Sequence, residues 1–173
     1  MPAEQLKAKI RDVPDFPEPG IVFKDIMPLL ADPGCLQETV RLLAEWAEPR
    51  RPDVILGAEA RGFILGAALA YKLDCGFVAA RRPGKLPWKT VSATYALEYG
   101  ENSLELHADA IARGARVLVH DDVLATGGTA RAICDLAEQL GGEVVGVAFA
   151  IELEFLEGRK QLDGYDVHSL IAY

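Results

Sequence analysis

Apolar positions along the chain fall into short blocks separated by stretches with helical spacing. Residues 53–57, 76–80, 116–120 and 143–151 are largely apolar runs bounded by polar or turn-forming residues. Runs of that length without polar alternation predict strands covered on both faces. Between them lie a predicted helix over 61–73, whose alanines allow close approach to a sheet, and an amphipathic helix over 129–140 ended by Gly141-Gly142. Residues 165–172 predict an edge strand. Strands alternating with helices are the pattern of βαβ units, so the fold class is α/β, a central mostly parallel sheet flanked by helices.

Two segments break this rhythm. Residues 13–28 carry Pro14, Pro17, Pro19, Gly20 and Pro28, and predict an extended loop rather than a helix. Residues 82–106 begin Arg82-Pro83-Gly84-Lys85-Leu86-Pro87 and continue into two strand-like pieces, 92–99 and 103–107. A hairpin turn is expected at Tyr99-Gly100-Glu101-Asn102. Insertions of this kind in a compact α/β unit usually serve a binding site.

Length and charge narrow the picture. The 173 residues suffice for one domain with a buried core and are too few for two. With 18 Lys+Arg against 26 Asp+Glu the formal net charge is −8, which opposes binding to nucleic acid or anionic lipid. Cys35, Cys75 and Cys134 are far apart and form no CxxC pair, so they are expected as small core side chains in a reducing compartment. The longest apolar stretch, 62–71 between Arg61 and Lys72, is about half of a membrane span. The N-terminus has neither the basic nor the apolar region of an export signal, and a cytoplasmic location is expected.

Candidate chemistry concentrates in residues 117–129, Val117-Leu118-Val119-His120-Asp121-Asp122-Val123-Leu124-Ala125-Thr126-Gly127-Gly128-Thr129. An apolar strand delivers two adjacent carboxylates, and a small glycine- and hydroxyl-rich loop then opens into a helix. Gly127 and Gly128 let backbone amides face a ligand, Thr126 and Thr129 add hydroxyl donors, and the helix N-terminus adds partial positive charge; together they predict a phosphate cradle. Carboxylates beside a phosphate repel it unless sugar hydroxyls or a hydrated divalent cation lie between. The spacing therefore calls for a phosphorylated sugar with Mg²⁺. It matches neither a P-loop nor a dinucleotide fingerprint, because GxxxxGK[ST] and GxG are both absent.

This stretch resembles the phosphoribosyl-pyrophosphate (PRPP) motif of type I phosphoribosyltransferases. From about residue 16 to 173 the chain is similar to the adenine phosphoribosyltransferase family. The resemblance is carried by Phe16-Pro17-Glu18-Pro19-Gly20-Ile21-Val22-Phe23-Lys24-Asp25-Ile26, Glu59-Ala60-Arg61-Gly62-Phe63, Arg81-Arg82-Pro83-Gly84-Lys85-Leu86-Pro87 and Tyr95-Ala96-Leu97-Glu98-Tyr99-Gly100. It implies the type I phosphoribosyltransferase fold over 1–173, with a purine-binding hood segment at about 13–28 and a flexible loop at about 82–106. The implied reaction is adenine + PRPP → AMP + pyrophosphate with Mg²⁺, and the implied assembly is a homodimer.

The resemblance also distributes roles. Val22, Phe23, Lys24 and Tyr99 would bind adenine, with Phe23 stacking on the base and backbone groups reading its edge. Lys24 stands where many relatives carry arginine. Arg61, Arg81 and Lys85 would surround the pyrophosphate, and Arg81, Arg82, Lys85 and Lys89 do crowd into nine residues of an acidic chain. Pro83 replaces a basic residue of some relatives. Ala125, Thr126, Gly127, Gly128 and Thr129 would hold the 5′-phosphate, and Asp121 and Asp122 the ribose hydroxyls. Glu98 would handle the purine ring proton. Mg²⁺ would be held mainly by PRPP and water rather than by protein ligands. Two readings compete: a phosphoribosyltransferase for hypoxanthine, guanine, xanthine or orotate, and a non-catalytic PRPP- or purine-sensing regulator on the same fold.

Overall fold

The computed structural model describes residues 3–96 and 101–173. In chain order the elements are α1 (Ala3–Lys7), β1 (Arg11–Pro14), β2 (Val22–Asp25), α2 (Met27–Ala31), α3 (Pro33–Ala47), β3 (Val54–Ala58), α4 (Gly62–Lys72) and β4 (Gly76–Ala80). They continue with β5 (Thr90–Ala96), β6 (Glu101–His107), β7 (Arg116–Leu124), α5 (Gly128–Gln139), β8 (Glu143–Glu152) and β9 (Val167–Ala172), with short 3-10 turns at Glu48–Arg50, Glu154–Leu156 and Gly158–Leu162.

Strands β4-β3-β7-β8-β9, in that order, form a five-stranded sheet in which every neighbouring pair is parallel. The sheet is covered on both faces, as its apolar strands require. Alternation along β3 shows how the faces divide: Val54, Leu56 and Ala58 pack with α5 residues such as Ile133 and Leu136, while Ile55 packs with Leu43 of α3 and Leu69 of α4. Each fully buried leucine or isoleucine of this kind contributes roughly 2 kcal/mol of apolar burial. A third cluster joins Leu6 of α1, Leu29 of α2, Leu65 of α4 and Ile151 of β8. Helix α3 starts at an Asp32 cap, whose side chain accepts from the Gly34 and Cys35 amides at 3.0 Å each, with Pro33 at the first helical position.

The two irregular segments lie off this sheet. Residues 13–28 are not the extended loop expected from their prolines. β1 and β2 pair antiparallel, Pro14 opposite Val22, and Pro28 sits in the first turn of α2. Proline is compatible with both places, since a ribbon edge and a helix start need no inward amide. β5 and β6 form an antiparallel hairpin, from Thr90 opposite His107 to Ala96 opposite Glu101, so Glu101 and Asn102, expected in the turn, belong instead to the ladder of β6. Its Leu104 and Leu106 are buried in the cluster that holds α5, so the hairpin leans on the same face as that helix.

Candidate active site

The chain reaches the site from the carboxyl ends of β3 and β7, where open α/β sheets place ligands. β7 is longer than the apolar run predicts. It continues through Asp121 and Asp122 to Leu124, and both carboxylates are therefore held by strand pairing instead of by a turn. The main chain next makes the loop 125–127, and Gly127 precedes α5 at φ +88°, a conformation that glycine adopts without penalty. A small cavity of about 60 Å³ lies in this loop, lined among others by Asp121, Ala125, Thr126, Gly127 and Thr129. No side chain caps the helix there, which leaves its first amides to a ligand.

The loop is clamped from behind by a segment that sequence reasoning does not single out. A Cβ on Gly127 would lie 2.3 Å from the Gly158 carbonyl oxygen, and one on Gly158 would lie 2.3 Å from the Ala125 carbonyl oxygen. The two backbones thus touch with no room for side chains. Arg159, next to Gly158, fixes this turn by a two-pronged contact with Glu152 at the end of β8, 2.7 Å to each carboxylate oxygen. Contacts of this kind link residues distant in sequence and leave no local pattern.

A second cavity, of about 150 Å³, adjoins the first and shares Asp121 and Thr129 with it; Asp122, Arg61, Arg82 and Tyr95 also line it. Arg61 Nε lies 2.8 Å from Asp122 Oδ2, and its guanidinium carbon is 4.9 Å from the centre of the Phe23 ring. Phe23 meets Phe16 edge-on at 5.2 Å. Removal from water pushes the Asp121 carboxyl well above the usual carboxylate range, the Asp122 charge adds to this, and Arg61 opposes it.

Not every predicted basic or base-binding residue points into this cleft. Arg82 lines it, whereas Arg81 is engaged with Glu59 at 3.1 Å and Lys85 is exposed. Glu59 takes both neighbours, since its other oxygen accepts from the Arg82 amide at 2.8 Å; the Arg81 contact chiefly holds its carboxyl below the usual range. Glu59 is a further residue that local sequence does not reveal. Lys24 Nζ pairs with Asp12 at 2.7 Å and lies 3.9 Å from the centre of the Tyr173 ring. Val22 is exposed beside Phe23. Glu98 and Tyr99 lie outside the described residues.

A parallel sheet with a strand-borne acidic pair, a glycine loop behind it and a basic wall in front defines a class, and comparison with known proteins agrees. Residues 29–171 match the family described as phosphoribosyl transferase domain, and the chain belongs to that family. The adenine phosphoribosyltransferase of Thermotoga maritima is 56% identical over 168 residues, 97% of each chain. The crystal structure of adenine phosphoribosyltransferase from Thermoanaerobacter pseudethanolicus superposes with a TM-score of 0.97 at 53% identity, covering 99% of each chain. That from Saccharomyces cerevisiae, complexed with an imino-altritol bisphosphate and adenine, gives 0.91 at 41% identity over 97% of each chain. Within its family the chain thus falls among the adenine phosphoribosyltransferases.

Proposed function

We propose that this chain transfers the 5-phosphoribosyl group of PRPP to adenine, giving AMP and pyrophosphate in a purine-salvage reaction. The observation that carries the reading is the convergence of the glycine cradle, Asp121-Asp122 and the Arg61–Phe23 pair around adjoining cavities. Ala125 to Thr129 hold the 5′-phosphate on backbone amides and hydroxyls. Asp121 and Asp122 accept from the ribose hydroxyls, and their charge favours the cationic centre that develops at C1 as the bond to pyrophosphate breaks. Arg61, Arg81 and Lys85 neutralise the departing pyrophosphate, with Arg82 beside them. Adenine stacks on Phe23, within a base site formed with Val22, Lys24 and Tyr99, and attacks C1 through N9. Glu98 takes up the proton that the ring loses.

The acidic pair also fits a divalent cation of the kind this chemistry uses. Among the described residues no three His, Cys, Asp or Glu side chains come together as a metal cage. A Mg²⁺ there would take its ligands mainly from PRPP and water, and two carboxylates beside the phosphate cradle suit its charge. Such an ion supplies charge neutralisation to the diphosphate.

In this reading residues 1–173 form one domain, with 13–28 as a hood over the base and 82–106 as a loop that closes to exclude water. The enzyme works as a cytoplasmic homodimer. No helix among the described residues is long and apolar enough to cross a membrane.

A panel of bases tests the proposal. Purified chain, PRPP and Mg²⁺ are mixed with adenine, hypoxanthine, guanine, xanthine or orotate, and nucleotide and pyrophosphate are followed. AMP from adenine alone, abolished by a chelator, is the expected result. Reaction with another base overturns the adenine assignment and leaves the PRPP half standing; PRPP binding without turnover favours a sensor.

A further inference from the structure

Tyr95 lies on β5, in the hairpin that stands over the site. Its hydroxyl is 3.0 Å from Thr129 Oγ1, and its half-buried ring packs on the cluster that includes α5. Thr129 belongs to the first turn of α5 and faces both cavities, while Tyr95 faces the larger one beside Asp121 and Asp122. One hydrogen bond therefore joins the part of the chain that cradles phosphate to the part that covers the site. In the sequence Glu98 follows Tyr95 by three positions.

The chemistry of the two hydroxyls gives that bond a direction. Threonine has one hydroxyl proton, and an ionised phosphate offers only acceptors. When phosphate fills the cradle, the Thr129 proton goes to it. The Tyr95–Thr129 contact then has a single polarity, Tyr95 donating and Thr129 accepting, and the chain Tyr95 to Thr129 to phosphate strengthens along its length. We propose that Tyr95 is a positioning residue for the phosphoribosyl substrate. It turns Thr129 into a donor toward the 5′-phosphate and ties the placement of the hairpin to occupation of the cradle. The inference rests on the cradle reading above and goes beyond it by adding a residue outside the PRPP motif.

Tyr95→Phe keeps the ring and its packing and removes only the hydroxyl. Ribose 5-phosphate carries the 5′-phosphate without the diphosphate, so its binding to the full chain, compared with that of pyrophosphate by calorimetry, isolates the effect. Tyr95→Phe is expected to bind ribose 5-phosphate about 2- to 10-fold more weakly, the range for loss of one hydrogen bond, and pyrophosphate unchanged. KM for PRPP rises by a similar factor while KM for adenine does not. Thr129→Val weakens ribose 5-phosphate at least as much, Thr129→Ser stays near wild type, and the double variant with Tyr95→Phe is no weaker than Thr129→Val alone. Wild-type binding of ribose 5-phosphate by Tyr95→Phe, an equal loss for pyrophosphate, or multiplying effects in the double variant overturns the inference with the cradle intact. If Thr129→Val itself binds ribose 5-phosphate normally, the cradle assignment falls and takes the inference with it.

Discussion

Arg61 and Asp122 form an ion pair across the floor of the cleft, Nε to Oδ2 at 2.8 Å, in which the carboxylate is almost fully buried and the guanidinium 38% exposed. The same guanidinium lies over Phe23, so one side chain spans the carboxylate assigned to ribose and the ring assigned to adenine. In the proposed reaction a diphosphate entering from the Arg82 side would compete with Asp122 for that cation, and the buried carboxylate would be released to accept from sugar hydroxyls.

Asp122→Asn keeps the shape and removes the charge. Arg61 is exposed enough to turn to water, so stability is expected to change by about 1 kcal/mol or less. kcat/KM for PRPP is expected to fall about 100-fold, the scale on which one electrostatic group at a charge-developing centre acts. Steady-state rates beside a urea melt check this; full activity, or a variant that does not fold, contradicts the role given to Asp122.

Gly158→Ala tests the clamp behind the phosphate loop. The added methyl meets the Ala125 carbonyl, and the loop must move to admit it. A stability loss of about 1–3 kcal/mol is expected from overpacking. A rise in KM for PRPP with little change in KM for adenine should accompany it. Equal increases in both constants would mean that the turn supports the whole site and not the cradle.

Lys24 separates side-chain from backbone recognition of the base. Its ammonium is occupied by Asp12 and the Tyr173 ring, turned from the Phe23 face. Lys24→Met is therefore expected to change KM for adenine by less than about threefold and to lower stability by about 1 kcal/mol through the lost charge contacts. A much larger rise in an adenine titration would bring the ammonium into the base site.

His120, fully buried on β7 next to Asp121, makes stability depend on pH. Burial drops its imidazole to about 4, below the value of about 6.5 in an unfolded chain. Between those limits the unfolded chain takes up a proton that the folded one refuses. The stability contributed by the neutral ring is complete above about pH 6.5 and is lost as pH falls toward 4, on the order of 3 kcal/mol in all. Urea melts of wild type and His120→Met at about pH 7 and about pH 5 read the difference; parallel pH dependences in the two proteins refute it.

What the sequence makes legible follows from what each element needs. β3, β4, β7 and β8 are readable because strands covered on both faces must be apolar almost throughout, and the loop before α5 is readable because its glycines stand where an apolar strand gives way to an amphipathic helix. The β1–β2 ribbon is misread because four prolines look like a loop, although Pro14 and Pro28 occupy positions that tolerate them. The end of β7 is misread because Asp121 and Asp122 look like the exit of a strand, while the structure uses pairing with β8 to hold them. Helix α3 goes unread although Asp32 and Pro33 announce its start. Gly158 and Glu59 escape because their partners lie 20 or more positions away along the chain.

The placement of the two small antiparallel sheets has a consequence for how such a protein changes over time. The loop assigned to phosphate joins β7 of the central sheet to α5 and shares their core, so drift there costs the fold itself. Phe23 and the hairpin instead sit on β1–β2 and β5–β6, whose ladders are separate from the five-stranded one apart from a single bridge between Glu105 of β6 and Arg81 just beyond β4. Variation in those two ribbons leaves the sheet's own pairing untouched. If the base binds at Phe23 and the sugar phosphate at 125–129, as proposed, preference for one base over another is free to be rewritten by mutation while the other half stays fixed.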